Sequence, residues 1–187
     1  MRIIAGQFRG RALASVGKGD VGAHLRPTTD RVRESLFNVL THLDVIPDAR
    51  VLDLFAGTGA LGLEALSRGA AHVSFVDDGR VATGLIRKNI DLTQSRDQTT
   101  LIRRDALRLD ACSGAPFDLV FLDPPYGKAL GEKALERCIA GGWLAKDAFV
   151  VWEENKVVAV PKEFELHNVR KYGDTHISLM WWTGAAD

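Results

Sequence analysis

The stretch Val51-Leu52-Asp53-Leu54-Phe55-Ala56-Gly57-Thr58-Gly59-Ala60-Leu61-Gly62 reads as an apolar strand that runs into a glycine turn and then a helix. Its glycines have the spacing G-x-G-x-x-G, and side chains this small let a backbone approach a ligand closely. Asp77 closes the next β-rich run, near the offset at which an acidic side chain accepts hydrogen bonds from ribose hydroxyls. These features suit any cofactor built on adenosine, NAD and S-adenosylmethionine alike. Asp53 separates the two. A carboxylate just ahead of the turn disfavours a pyrophosphate and favours the cationic amino-acid end of S-adenosylmethionine. Phe55, Ala56, Gly57, Thr58 and Gly59 would then line that cofactor, with Asp77 on its ribose. In Arg103-Arg104-Asp105-Ala106, Asp105 ends a further β-rich run; it either receives the adenine amino group, next to Ala106, or simply caps a turn.

Outward from the glycine turn, β-rich runs alternate with helical patterns: Val51 to Phe55, Val73 to Asp77, Thr99 to Arg103, Phe117 to Asp123 and Ala148 to Glu153. This alternation predicts a Rossmann-like α/β fold with a mostly parallel, doubly wound sheet. Phe164 to Lys171 and Thr175 to Trp182 flank Tyr172-Gly173-Asp174 with no room for a helix, so they should close the sheet as an antiparallel hairpin and make seven strands. Ahead of the core, Val32, Leu36, Val39, Leu40 and Leu43 recur at helical spacing up to Pro47, with Asp30 placed as N-cap. Two regions are expected: residues 1–48 as a basic strand, loop and helix, and residues 49–187 as the catalytic core.

The strongest chemical signal is Asp123-Pro124-Pro125-Tyr126, which ends a buried run at the carboxyl edge where open α/β sheets bind ligands. An aryl amine is a poor nucleophile because its lone pair is delocalised into the ring. Asp123 can accept one of its N–H groups and the Pro124 carbonyl the other, while both prolines fix the backbone direction. Tyr126 can stack on a base extruded from its helix. The spacing therefore points to methylation of an exocyclic amine by Asp123, Pro124, Pro125 and Tyr126, with no metal required.

The 187 residues carry 46% hydrophobic and 26% charged side chains, enough for one core, and the formal net charge is +0. That neutrality is uneven. Residues 1–33 hold Arg2, Arg9, Arg11, Lys18, Arg26, Arg31 and Arg33 against Asp20 and Asp30, a net +5, and the remainder sums to −5. A basic head on an acidic body reads either as a solvated tail or as an element that docks on phosphates. No membrane-length apolar stretch or secretory leader is seen, Cys112 and Cys138 match no ligand spacing, and the five histidines form no zinc pattern. A soluble, cytoplasmic monomer without metal is expected.

The chain resembles the bacterial 16S ribosomal RNA guanine-N2 methyltransferase family along nearly its whole length. The resemblance rests on Arg2-Ile3-Ile4-Ala5-Gly6, Arg9-Gly10-Arg11, the block Leu25 to Asn38, Leu52 to Gly69, Asp123-Pro124-Pro125-Tyr126 and Tyr172-Gly173. It implies a class I methyltransferase fold, S-adenosylmethionine as donor, and 16S rRNA of the small ribosomal subunit, or of its assembly intermediate, as partner. Arg9, Arg11, Arg26, Thr28, Arg31 and Arg33 would then meet RNA, although Arg33 could instead hold its helix to the core. Ala5, Thr58 and Asp77 stand where the family commonly has glycine, serine and glutamate. The alternatives are an amino-methyltransferase acting on DNA adenine or a protein amide, a non-catalytic ribosome-assembly factor, and a dehydrogenase, which Asp53 disfavours.

Overall fold

The computed structural model describes residues 1–15 and 29–184. Helix α1 (Asp30–His42) leads into strand β1 (Arg50–Leu54), α2 (Ala60–Ser67), β2 (His72–Val76), α3 (Arg80–Thr93) and β3 (Thr99–Ile102). Strand β4 (Phe117–Leu122), α4 (Leu130–Ala140), β5 (Leu144–Glu154) and the pair β6 (Phe164–Tyr172) and β7 (Thr175–Trp182) complete it. All seven strands form one sheet in the order β3-β2-β1-β4-β5-β7-β6. The first five are parallel, and β7 runs antiparallel to both β5 and β6. The chain thus winds outward from β1 to β3 and then crosses back to β4, so that the direction of winding reverses between β1 and β4. In open α/β sheets a ligand crevice opens at such a point.

The strands β1 and β4 are apolar because both sheet faces are covered. Val51, Leu52, Leu54, Leu119, Val120 and Phe121 are all fully buried. One face of the sheet packs against α1, α2 and α3, with Leu36, Phe37, Leu40, Leu63, Leu66 and Ile86 in that core. The other carries Leu135, Cys138, Trp143, Trp152 and Met180. Each such side chain contributes about 1.5–3 kcal/mol on burial.

Two expectations at the first helix are corrected. The N-cap is Thr29, whose Oγ1 accepts the Val32 N–H at 3.3 Å, and Asp30 is already in the first turn. The helix also ends at His42, with Leu43 as C-cap, short of Pro47.

Residues 1–15 are anchored to the core through two buried side chains and a set of backbone hydrogen bonds. Arg2 and Ala12 form an antiparallel bridge, and Ile3 and Leu13 are buried. Polar side chains of the helices bind the backbone of this segment: Glu64 accepts the Ile4 and Ala5 amides at 2.7 and 3.1 Å, and Ser67 Oγ accepts Phe8 N–H at 2.9 Å. Asn89 both accepts from Ala14 N–H and donates to Ala14 O, at 2.7 and 3.0 Å. Gly6, at φ +82°, lies so close to α2 that a Cβ there would sit 1.7 Å from the Ser67 carbonyl oxygen. Only glycine lets the segment lie this near.

The terminal hairpin closes through Gly173 and Asp174, with Tyr172 paired to Thr175. Gly173 has φ +60°, as tight hairpin turns require. The Tyr172 hydroxyl lies 2.8 Å from Ser35 Oγ of α1, so that helix and hairpin are joined at the same end of the sheet.

Candidate active site

Asp53, the penultimate residue of β1, is 1% exposed, and its Oδ2 accepts the Gly62 N–H at 3.0 Å. A Cβ on Gly62 would lie 2.4 Å from Phe75 Cε1 and 2.6 Å from Val73 Cγ1, so the third glycine of the motif serves helix-to-sheet packing. Phe55 adopts φ +57°, a left-handed conformation costly for a bulky residue. Its strain is held by Ala56 N–H donating to Val76 O at 3.1 Å and Gly59 N–H donating to Ala56 O at 2.7 Å. Thr58 is buried, and its carbonyl accepts from Asn89 Nδ2 at 2.8 Å, which ties the glycine turn to the residue that also holds Ala14.

Asp77 lies just past β2 and spans the turn. Its Oδ2 accepts Gly57 N–H at 2.9 Å and its Oδ1 accepts Gly79 N–H at 2.8 Å. A carboxylate offers about four acceptor sites, so both oxygens keep capacity for a ribose hydroxyl. Asp105 accepts Leu107 N–H at 2.9 Å and caps a single 3-10 turn, Ala106–Arg108, in which Ala106 is buried. The capping role set out as one of its two readings is thus present in the structure.

Asp123 follows β4 directly, its N–H 3.5 Å from the Leu54 carbonyl, which brings Asp123-Pro124-Pro125-Tyr126 beside the end of β1. Tyr126 donates its hydroxyl proton to Glu153 Oε1 at 2.7 Å and lies 3.3 Å from Thr175 Oγ1. Sequence reading missed Glu153 and Thr175. Glu153 is next to last in β5 at the same sheet edge, a position that could have marked it; Thr175 carried no signal of its own.

The electrostatics of this edge are those of crowded carboxylates. Burial pushes the Asp53 carboxyl up to about 8, the Gly62 hydrogen bond opposes that, and the charge of Asp77 adds to it. Burial also raises Asp77, against its bonds from Gly57 and Gly79. Asp123 is held well above the usual carboxylate range by burial and by the charges of Glu153, Asp53 and Glu154. Such a site repels a pyrophosphate and gains from a cation. A sulfonium and an ammonium on one ligand fit it. Among the described residues no group of three or more His, Cys, Asp and Glu side chains is arranged to hold a metal ion.

The arginines of the basic head separate. Arg9, Arg11 and Arg31 are exposed. Arg33 is fully buried, which corrects its placement among the RNA contacts: it donates to the Arg2 carbonyl, pairs with Asp30 at 3.0 Å, and faces Glu64 at 3.9 Å. Glu64 also accepts from Arg68 at 2.8 Å. A guanidinium enclosed in this way holds α1 and the first residues to α2 and cannot reach a phosphate. Arg26 and Thr28 lie outside the described residues.

A doubly wound sheet ending in an antiparallel hairpin, with a glycine turn and Asp-Pro-Pro-Tyr facing each other at the reversal, is the architecture of a class I methyltransferase. The crystal structure of an RNA methyltransferase from Salinibacter ruber, in complex with S-adenosyl-L-homocysteine, shares this fold at a TM-score of 0.66 and 15% identity, over 87% of this chain and 96% of that one. Residues 1–181 match the family described as conserved hypothetical protein 95, and the chain belongs to that family. It is 41% identical to ribosomal RNA small subunit methyltransferase D of Escherichia coli K12 over 96% of this chain and 88% of that protein. The Haemophilus influenzae protein of the same name is 39% identical over 89% and 86%. The solved Escherichia coli protein yhhF, 38% identical, superposes at a TM-score of 0.85 over 98% of both chains.

Among the described residues no helix is long and apolar enough to cross a membrane.

Proposed function

We propose that this protein transfers a methyl group from S-adenosylmethionine to the exocyclic N2 of a guanine in 16S rRNA of the small ribosomal subunit. Guanine 966 is the target that the family resemblance implies. The observation that carries the reading is the placement of Asp123 next to the end of β1, within a set of carboxylates whose mutual repulsion a cationic donor relieves. S-adenosylmethionine supplies an electrophilic methyl on a sulfonium.

Asp53 and the glycine turn, Phe55 to Gly59, hold the donor, with Asp77 on its ribose and Asp105 with Ala106 at its adenine. Asp123 and the Pro124 carbonyl each accept one N–H of the guanine amine, which turns the lone pair toward the methyl group. As the N–C bond forms, the S–C bond breaks and its electron pair stays on the departing thioether, while the amine proton passes to the carboxylate of Asp123, which the bound cationic donor favours in its ionised form. Pro125 stiffens the backbone between Asp123 and Tyr126, and Tyr126 stacks on the base. Most of the acceleration then comes from alignment, for which effective molarities reach about 10⁵–10⁸ M. Arg9, Arg11 and Arg31, with Arg26 and Thr28, dock the RNA backbone in the cytoplasm, and a single copy of the chain suffices.

The test is incubation with methyl-labelled donor and undermethylated small-subunit particles, protein-free 16S rRNA or duplex DNA, followed by mass identification of the nucleoside. N2-methylguanosine that disappears in Asp123→Ala is the expected product. Methyladenine in DNA would replace the substrate and keep the chemistry. Tight donor binding with no transfer would favour an assembly factor or a protein-amide substrate.

A further inference from the structure

Tyr126 leaves β4 behind two prolines, and the chain beyond it gives its ring little support. Gly127, Lys128 and Ala129 are all exposed, and Gly127 and Ala129 take φ +75° and +51° before α4 begins. The ring is fixed instead at its far end. Its hydroxyl donates to Glu153 Oε1 at 2.7 Å and meets Thr175 Oγ1 at 3.3 Å. Glu153 is 8% exposed and next to last in β5, and Thr175 is the first residue of β7, beyond the hairpin closure. A phenol-to-carboxylate hydrogen bond is short and directional.

We propose that Glu153 and Thr175 are positioning residues that bracket the Tyr126 hydroxyl and so set the plane on which the target base stacks. The inference rests on the reading of Tyr126 as the stacking platform. The bracket occupies the hydroxyl, so Tyr126 meets the base by its ring and not as a donor. It also gives a reason for tyrosine over phenylalanine, since only a hydroxyl can be held by β5 and β7 together. Alignment is what the bracket supplies: a misplacement of about 1 Å between reacting groups costs on the order of 10²-fold in rate.

The experiment measures steady-state methylation of undermethylated small-subunit particles by the full chain, with donor affinity by calorimetry and thermal melts alongside. Tyr126→Phe and Glu153→Ala are each expected to lower kcat by roughly ten- to a hundredfold, the range for a lost hydrogen bond to a charged group. In Tyr126→Phe, KM for the particle and Kd for the donor stay unchanged, because the stacking ring and every carboxylate facing the donor are kept. Glu153→Gln recovers most of the rate, since the amide oxygen still accepts, and the Tyr126→Phe, Glu153→Ala double variant is no slower than the slower single variant. Thr175→Val gives a smaller loss. Wild-type kcat in Tyr126→Phe, additive losses in the double variant, or a Glu153→Gln as slow as Glu153→Ala would overturn the bracket; the last would assign Glu153 a role through its charge on Asp123. Failure of the unaltered protein to methylate any nucleic acid would overturn the base-stacking reading itself, separately from these outcomes.

Discussion

Asp53 retains its proton up to about pH 8, far above the ordinary 3.8 of an aspartate, because folding places it in the core. A folded state that holds a proton the unfolded chain releases is most stable at low pH and loses that stability as pH rises through the folded value. Between pH 3.8 and about 8, then, the protein without donor should lose stability on raising the pH, and one such group contributes a slope of about 1.4 kcal/mol per unit. Asp77 and Asp123 shift in the same direction and add to it. Asp53→Asn should flatten the slope while keeping an acceptor for Gly62, as urea titrations at pH 5, 6, 7 and 8 would read. At this scale the sequence was legible wherever chemistry sits at strand ends: Asp53, Asp77 and Asp123 all stand where alternation and spacing put them. Glu153 and Thr175 were not, because their importance depends on which strand lies beside β5. That pairing, β5 with β7, joins segments across the hairpin and leaves no local pattern.

The elements repeat this contrast. The glycine turn, the five parallel strands and the hairpin follow from short β-rich runs and from turn residues, so each was readable within a window of about ten residues. The first fifteen residues were not. A stretch with only a bridge of β-structure looks like a tail until the side chains that hold it are known, and those lie on α2 and α3. Glu64 and Asn89 interrupt the apolar stripes of their helices, the one visible sign that something polar is bound there. Glu64→Ala would remove the acceptor of two backbone amides and of Arg68, and one of the two carboxylates facing the buried guanidinium of Arg33. A loss of about 3–5 kcal/mol is expected, the range for breaking a buried pair from one side. Urea denaturation checks the size, and faster hydrogen exchange at Ile4 and Ala5 would localise it.

Over the whole molecule, formal neutrality conceals a division between a basic stretch, residues 1–33, and an acidic remainder. Affinity for RNA should fall steeply with salt, and Arg9→Ala or Arg11→Ala should each reduce the slope of log K against log salt by about 1 while leaving stability unchanged. Arg33→Ala should do the reverse, lowering the melting temperature with little change in the slope, since its charge is enclosed. Filter binding at several salt concentrations together with thermal melts separates the two behaviours. The docking of the first residues carries a further consequence, for synthesis. Ala14 is bound by Asn89, 75 positions later, and Ile4 by Glu64, 60 positions later. During synthesis residues 1–15 are made ahead of α2 and α3 and stay without these partners until both helices have followed, and contacts this distant in sequence form slowly. A segment translated before the helices that hold it is thus placed only after them, and the glycine turn shares that timing, because Asn89 binds the carbonyls of both Thr58 and Ala14.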